Sequence, residues 1–393
     1  MKRIRQLISI LLTAALLSGV LCFSGANAAN TAEITADYKN LNSKNWMSAI
    51  ADSRYLCEIN LPGSHDSATA YCKNTTNNHA EFFGFPVWNT GKYAKTQSLT
   101  LAKQLEAGVR YLDLRFSPAQ GKLLLCHGNR QKAVYGLYAA VVLSLLHPVF
   151  LLAVYFISHL DIEFYAYEDE ACTVPLTSES VLEQVKDFLK ENPSECVIIT
   201  AKKENGDEEE FVKLLREQIR QLKTQKNPAT NEAYLYTQNG AGVYTKMPSL
   251  LEVRGKIVLM TPAYETLGAG DMLDAGNGAG QTAFMGMPFY YENHWNVTAK
   301  KKIKYINDFV QTHSADMQKN PTKHLPYANV LKTNSNTAMR QSPYEIATQV
   351  NQSLYAPGHL VKGRYYGWIM GDFMDEETCS AIWQTNYFVF ETS

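Results

Sequence analysis

Eight short apolar runs recur along the chain and constrain its fold more than any other feature. Runs of four to eight residues are typical of buried strands, and several of them are separated by segments of helical periodicity. This alternation predicts an α/β protein, and eight strands fit a TIM-like (β/α) barrel. The runs are Leu56–Leu61, Val109–Phe116, Leu123–Cys126, Cys196–Ala201, Lys256–Met260, Pro288–Tyr291, Ala328–Leu331 and Tyr366–Met370.

Two segments between these runs predict helices. Ser180–Lys190 places its apolar residues on one face, and Ser180 with Glu183 forms a capping-box pattern. Pro193 marks the end of this helix. The segment Gly206–Leu222 predicts a second, more highly charged helix.

Polar residues follow several of the runs, and Arg115 ends the second run, at the points where the strands are expected to end. In a barrel of parallel strands these ends lie on one face, where active sites are found. We therefore expect side chains that are distant in sequence to meet at a single mouth. The residues are, in chain order, His65, Arg115, His127, Lys202 and Asp372.

Two histidines and an arginine are the set that phosphodiester cleavage without a metal requires. One imidazole takes a proton from the attacking hydroxyl and the other gives one to the leaving oxygen. The planar, permanently charged guanidinium holds the phosphoryl oxygens. The alternative is structural: the histidines are turn or core residues, Asp66 caps a helix that begins near Ser67, and Arg115 forms a structural ion pair.

The order and context of these residues resemble the X-type catalytic domain of the bacterial phosphatidylinositol-specific phospholipases C. The resemblance extends from about Tyr38 to the C-terminus, and it implies a single, somewhat irregular barrel. The matching segments are Gly63-Ser64-His65-Asp66, Asp113-Leu114-Arg115, Cys126-His127-Gly128, Lys202-Lys203-Glu204 and the region of Asp372.

The resemblance implies roles for both histidines. His65 is expected to be the general base that activates the inositol 2-hydroxyl. That hydroxyl attacks the neighbouring phosphorus and releases diacylglycerol and inositol 1,2-cyclic phosphate. Asp372 is expected beside His65 and Asp66 beside His127, where a carboxylate fixes the tautomer of each ring and stabilises its charged form.

The Asp113-Leu114-Arg115 segment also bears on metals. By resemblance, Arg115 stabilises the phosphorane-like transition state and Asp113 supports it. Eukaryotic relatives bind calcium around this site, whereas the fixed charge of Arg115 repels calcium and substitutes for it. We therefore expect a metal-independent enzyme without a cofactor. The alternative is a hard-metal site formed by Asp66, Asp113 and Glu204.

Four further residues are candidates for binding the headgroup. Lys202 and Glu204 follow an apolar run, and alternation along a strand directs both to the same side, unlike Lys203. Asn293 and Trp295 are the equivalents that the resemblance suggests for an acidic and an aromatic residue after the sixth strand.

One departure from the family leaves the headgroup open. The family has an inositol-contacting arginine after a Gly-Lys-Ile-Val pattern, but here Gly255-Lys256-Ile257-Val258 leads to Thr261-Pro262. Phosphatidylinositol is the expected substrate. A different phospholipid or phosphodiester headgroup is the first alternative, and a non-catalytic lipid-binding module is the second.

The first 28 residues have the layout of a secretory signal peptide. We therefore expect the catalytic barrel to comprise residues 29–393 and to be secreted or associated with the cell surface. The layout comprises a basic start, an apolar run and small residues at the cleavage position, in Lys2, Arg3 and Arg5, Leu7–Val20, and Ala26-Asn27-Ala28.

Charge and cysteine content limit the partners. Three of the 37 basic residues and none of the 38 acidic ones lie in the first 28 residues, so the mature chain carries 34 − 38 = −4. This balance argues against a nucleic-acid partner. Cys126 and Cys196 are expected to be buried thiols, and a bridge between Cys57 and Cys72 is an open alternative. No spacing indicates zinc, and a monomer is expected.

Leu137–Leu160 is almost entirely apolar and forms an insertion, at about residues 135–160, after the third predicted strand. Its length nearly spans a bilayer, and Pro148 interrupts it near the middle. Since it follows His127 closely, it is expected to leave the barrel on the face of the active site. The hypothesis is a membrane-docking hairpin beside the mouth. The alternatives are a long buried helix and, less favoured, a transmembrane span.

Overall fold

The structure, a computed structural model, describes nine stretches of the chain. The signal-like residues 1–28 and the apolar segment Leu137–Leu160 lie outside them, so both of these expectations stay predictions. Within the described stretches, no helix combines the length and apolarity needed to cross a bilayer. The stretches are residues 41–74, 94–127, 164–238, 244–270, 277–284, 287–295, 297–319, 327–330 and 341–386.

Eleven strands in the described residues form one mixed sheet. Its main path runs β8-β9-β10-β11-β1-β3-β6-β7, and the seven strands from β9 to β7 pair in parallel. The strands are β1 (Leu61–Ser64), β2 (Cys72–Asn74), β3 (Tyr111–Ala119), β4 (Lys122–His127), β5 (Phe164–Ala166), β6 (Val197–Lys203), β7 (Ile257–Met260), β8 (Gly278–Phe284), β9 (Met287–Asn293), β10 (Tyr327–Val330) and β11 (Trp368–Gly371).

Helices alternate with the parallel strands, as the sequence predicts for an α/β protein. The described helices are α1 (Leu101–Glu106), α2 (Ser178–Glu191), α3 (Glu208–Thr224), α4 (Leu250–Val253), α5 (Tyr264–Leu267), α6 (Ala299–Lys319), α7 (Pro343–Leu354) and α8 (Glu376–Trp383). Short 3-10 helices cover Trp46–Ala49, Leu56–Glu58 and Gln384–Asn386.

All eight predicted strands overlap observed strands, but Leu56–Leu61 shares only Leu61 with β1. Leu56–Glu58 is a 3-10 helix, and β1 begins only at Leu61. The buried Asn60 explains the change, because its side chain accepts from the backbone N–H groups of Tyr366 and Gly367. It thereby joins this segment to the chain before β11 through a side chain instead of a strand ladder.

The third predicted strand, Leu123–Cys126, does form within β4. The prediction that it is one of the parallel strands of the barrel is wrong. β4 runs antiparallel to β3, and Gln120 and Gly121 join them with φ of +52° and +74°. Two successive residues with positive φ are typical of a tight hairpin. β3 extends beyond its parallel neighbours and β4 returns, so His127 is carried back toward Arg115.

The two predicted helices form with shifted N-termini. Thr177, rather than Ser180, caps α2 and accepts from the backbone N–H of Ser180, so the predicted box of Ser180 and Glu183 is wrong. Asp207 caps α3 by accepting from the N–H of Glu210. In each case the capping residue has extended backbone and ends the preceding loop.

An aromatic layer fills the barrel interior beneath the site. The Trp368 ring lies 5.7 Å from the Tyr111 ring and 5.8 Å from the Phe289 ring, both in edge-on packing. Side chains alternate along a strand, so Asp113 and Arg115 lie on the same face of β3 as Tyr111. This layer therefore supports the polar residues that follow it toward the carboxyl ends of the strands.

A buried arginine joins the N-terminal segment to the opposite end of the barrel. Arg110 Nε lies 2.9 Å from Glu195 Oε2, and both side chains are fully buried. Its remaining donors reach the carbonyls of Leu105, Val109, Ser43 and Lys44. The position immediately before β3 thus carries a structural ion pair.

The cysteines within the described residues are free thiols. Cys126 and Cys196 are buried, as predicted. A Cys57–Cys72 bridge is not formed, because Cys57 precedes β1 and Cys72 lies beyond the other end of that strand.

Candidate active site

His65 is the first residue after β1 and is almost completely buried. Its backbone N–H donates to the Gly371 carbonyl, which ties it to the end of β11. Its Nδ1 lies 2.8 Å from Asp372 Oδ1, so the structure places Asp372 against His65. The carboxylate fixes the ring and leaves Nε2 directed toward the mouth.

Asp66 lies at the centre of the site. Its Oδ2 is 3.1 Å from His65 Nε2 and 2.7 Å from His127 Nδ1. Its Oδ1 is 2.5 Å from Arg115 Nε. The two histidine nitrogens therefore lie within 5.8 Å of each other, the total of their two contacts with the same oxygen.

The backbone of Asp66 adopts a conformation that side-chain-bearing residues rarely take. Its φ is +41°, in the left-handed region. Residues 65–70 form turns, so no helix begins at Ser67 and the alternative that Asp66 is a helix cap is wrong. The strained turn instead directs the carboxylate between the two imidazoles.

Arg115 contacts three carboxylates. Besides Asp66, its Nη2 lies 3.1 Å from Asp113 Oδ2 and its Nη1 lies 3.1 Å from Glu204 Oε2. The same Nη2 is 3.5 Å from His65 Nε2. The guanidinium, whose side chain is 12% exposed, thus reaches both the acidic cluster and the mouth.

The pKa directions follow from this cluster. Burial alone would raise the pKa of Asp66, but Arg115 and the two histidines hold it well below its usual range. Burial alone would lower the pKa of His127, but the Asp66 carboxylate raises it above its ordinary value. Asp66 is therefore a carboxylate, and it favours a protonated His127.

Three candidate cation ligands lie inside this cluster. Ligand atoms of His65, Asp66 and Asp113 lie within 4.8 Å of one another. Arg115, however, already contacts both Asp66 and Asp113. A cation bound there would therefore lie beside a fixed positive charge.

Lys202 and Glu204 point into the barrel. Lys202 pairs in register with Arg115, and the preceding Thr200 bonds the inward-facing Tyr111 hydroxyl at 2.8 Å. Lys203 takes the opposite direction, since its Nζ donates to the Gly206 carbonyl. Alternation along β6 thus orients these residues as predicted, while their roles in headgroup binding stay predictions.

Asn293 and Trp295 lie at the mouth end of β9, which β10 and β11 separate from β1. Asn293 is buried on the face of β9 that carries Phe289. Trp295 is 38% exposed, and its backbone N–H donates to Asn277 Oδ1. The structure thus puts them at the same end of the barrel as the histidine cluster but apart from it, and their role in headgroup binding stays a prediction.

Gln97 is a positioning residue that sequence patterns do not indicate. Its Nε2 donates to the His65 and Gly371 carbonyls, each at 2.9 Å, and its Oε1 accepts from the N–H of Met374. It joins the carboxyl ends of β1 and β11, and so holds His65 beside Asp372. It lies in an irregular segment, so periodicity gives no signal for it.

Sequence comparisons find curated proteins that are similar to this chain. No family model matches the chain. The 1-phosphatidylinositol phosphodiesterase of Listeria monocytogenes is 28% identical over 223 residues, 56% of this chain and 50% of that protein. The protein of the same name from Staphylococcus aureus is 22% identical over 352 residues, 86% of this chain and 90% of that one.

Two solved structures are similar to this chain over most of its length. The phosphatidylinositol-specific phospholipase C of S. aureus matches with a TM-score of 0.60 at 20% identity, over 88% of this chain and 98% of that one. The L. monocytogenes structure matches with a TM-score of 0.58 at 22% identity, over 88% and 100%. The predicted α/β TIM-like barrel is confirmed by these matches. The resemblance is confirmed as well, and the chain has the fold of the bacterial phosphatidylinositol-specific phospholipases C.

Proposed function

We propose that the chain is a phosphatidylinositol-specific phospholipase C that uses two histidines and no metal ion. It cleaves phosphatidylinositol to diacylglycerol and inositol 1,2-cyclic phosphate. One observation carries the proposal: Asp66 Oδ2 contacts both imidazoles while Asp66 Oδ1 contacts Arg115. A base, an acid and a phosphate-binding cation thus surround a single carboxylate.

His65 suits the general base. Asp372 accepts from Nδ1, which makes Nε2 the basic nitrogen on the side of Arg115. The inositol 2-hydroxyl gives its proton to Nε2 as its oxygen attacks the adjacent phosphorus. Because nucleophile and phosphorus belong to one molecule, proximity supplies much of the rate.

His127 suits the general acid. Its Nδ1 lies 2.7 Å from Asp66 Oδ2, and the carboxylate raises the pKa of the ring and so favours its protonated form. The proton on the other ring nitrogen is then available to the diacylglycerol oxygen as the P–O bond breaks. The two rings share a carboxylate but take opposite parts in the proton transfer.

Arg115 stabilises the charge that develops on the phosphoryl oxygens. Asp113 and Glu204 hold its terminal nitrogens and thereby fix the plane of the guanidinium. The same contacts support independence from calcium, since a divalent ion would lie directly against a permanent positive charge.

The headgroup assignment is supported by the printed names of the curated relatives, which are 1-phosphatidylinositol phosphodiesterases. Lys202, Glu204, Asn293 and Trp295 are the proposed headgroup contacts. A different headgroup is the second candidate, because Thr261-Pro262 stands where the family has an inositol-contacting arginine. Thr261 is fully buried and Pro262 has no side-chain donor.

Phosphorus NMR tests the proposal. Vesicles of phosphatidylinositol are incubated with the enzyme and a chelator, and a cyclic phosphodiester signal is expected. Cleavage of another phospholipid alone would favour the second candidate. Binding without turnover of any phospholipid would favour the non-catalytic module.

The same proposal covers the location of the substrate, the compartment in which the enzyme acts and its oligomeric state. The substrate is a membrane phospholipid, the protein acts outside the cytoplasm, and it is a monomer. Leu137–Leu160 is proposed to dock in the membrane beside His127. Deletion of Tyr138–Ile157 is expected to reduce activity on vesicles more than on a soluble substrate, and equal loss on both would count against docking.

A further inference from the structure

A buried ion pair lies behind the segment that carries Asn293 and Trp295. Glu292 belongs to β9, and Lys302 belongs to the first turn of α6. Lys302 Nζ lies 2.6 Å from Glu292 Oε2, and neither side chain is more than 1% exposed. Among the described residues, neither side chain is hydrogen-bonded to a catalytic side chain, although Lys302 lies close enough to Asp372 to interact with its carboxylate electrostatically.

The two charged residues fix His294 at both of its backbone polar groups. The N–H of His294 donates to Glu292 Oε1 at 2.8 Å, and its carbonyl accepts from Lys302 Nζ at 3.0 Å. Its ring Nδ1 lies 2.9 Å from the same Glu292 oxygen. The ring also stacks on Tyr305, with 3.9 Å between centroids.

Fold stability alone does not explain this pair. A lysine in the first turn of a helix opposes the helix dipole, and its burial carries a desolvation penalty. Apolar residues of similar volume often serve such positions equally well or better. The neighbouring buried positions of the same helix face are apolar, namely Ala299, Ile306 and Phe309.

We infer that Glu292 and Lys302 form a positioning clamp for the headgroup-binding segment Asn293–Trp295. The clamp holds His294, and the two residues on either side of it are the proposed headgroup contacts. Since neither Glu292 nor Lys302 contacts His65 or His127, the clamp acts mainly through the placement of Asn293 and Trp295. This inference rests on the proposed function.

Kinetics of Lys302→Met test the clamp. The substitution keeps an unbranched side chain and removes the charge and both hydrogen bonds. We expect kcat/KM for phosphatidylinositol to fall about tenfold or more, mainly through KM, because misplaced headgroup contacts weaken substrate binding. Lys301→Met is the matched control: it is an exposed neighbour in the same helical turn and is expected to leave KM unchanged.

A double variant separates positioning from folding. Lys302→Met alone leaves Glu292 buried without its cation, so its Tm is expected to fall. Glu292→Met with Lys302→Met removes both charges, so Tm is expected to recover while KM stays raised. If KM recovers together with Tm, or if Lys302→Met changes neither KM nor kcat, the clamp is refuted.

Amide exchange distinguishes this inference from the proposed function. Peptides that contain His294 are expected to lose protection in the Lys302→Met variant, because Lys302 no longer holds the Glu292 carboxylate that accepts from this N–H. If the wild-type protein does not cleave phosphatidylinositol, the proposed function fails, and exchange still decides the clamp. Unchanged protection in the variant would overturn the clamp whatever the substrate.

Discussion

Asp66→Asn is the most informative perturbation of the site, because one carboxylate contacts both histidines and the arginine. Those contacts measure 3.1, 2.7 and 2.5 Å. The amide has nearly the same shape but no charge, and its NH2 group turns a donor toward groups that are themselves donors. Asparagine also tolerates the left-handed backbone at this position, where φ is +41°. The fold is therefore expected to persist.

The magnitude follows from the pKa of His127. Asp66 raises that pKa against burial, which lowers it. Without the carboxylate, the pKa of His127 falls, and each unit of fall reduces the protonated fraction about tenfold at a pH above it. General acid catalysis contributes about 10²–10⁴ in rate. We expect kcat to fall within that range at neutral pH.

The sign of the pH effect is a sharper test. The acid works only while His127 is protonated, so activity falls as pH rises through the pKa of His127. This fall forms the alkaline limb of the pH profile. In the variant this alkaline limb is expected to move to lower pH. A substrate with a good leaving group needs less help from an acid, so its cleavage is expected to suffer less.

The assay is a pH profile of kcat for wild type and variant, with Glu204→Gln as the control. Glu204 contacts Arg115 Nη1, and its charge raises the pKa of His127 less than that of Asp66 does, so the control is expected to slow the reaction and to move the alkaline limb less than Asp66→Asn. An Asp66→Asn enzyme with a lower rate but an unmoved limb would refute the assignment of His127 as the acid.

The other predictions concern Arg115, independence from metal ions and the stability of the fold. Arg115→Lys is expected to lower kcat about 10²–10³-fold, because an ammonium cannot contact three carboxylates and a phosphate at once; added Ca²⁺ restoring wild-type rates would contradict this. Chelators are expected to leave wild-type rates unchanged. Arg110→Met leaves the buried Glu195 without its cation, so it is expected to reduce the free energy of unfolding by about 3–5 kcal/mol in urea titrations. The kcat of the folded variant is expected to be unchanged. The low pKa of Asp66 stabilises the fold above pH 3.8, its ordinary value, and unfolding titrations are expected to show this stability being lost as pH falls further.

The barrel strands were predictable because most of them are buried on both faces and form continuous apolar runs. Val197–Lys203 and Ile257–Met260 are examples, since each begins within a residue of the predicted run. Leu56 was misassigned because the same apolar residues also suit a 3-10 turn. The choice is made by Asn60, whose partners lie some 300 residues away in the chain.

The candidate site was predictable where side chains follow strands, as for His65 and Asp372, or lie near the end of the parallel ladder, as for Arg115. The path of His127 was not, because the antiparallel return of β4 depends on pairing that apolar runs do not encode. Lys302 was missed because it lies in the run Lys300-Lys301-Lys302, which suggests a solvated surface. Its spacing from Ala299, Ile306 and Phe309 on the buried face of α6 is the signal that identifies it.

Arg115 and His127 belong to the same hairpin, formed by β3 and β4. Their separation is set by local strand pairing around Phe116 and Leu125, and not by the diameter of the barrel. His65 follows a different strand, β1, which pairs with β3 at Gly63 and Ser64 and is outside the hairpin. If the barrel expands or contracts when a lipid enters, the phosphate-binding cation and the acid move together. The base is then the group whose distance from the phosphorus changes.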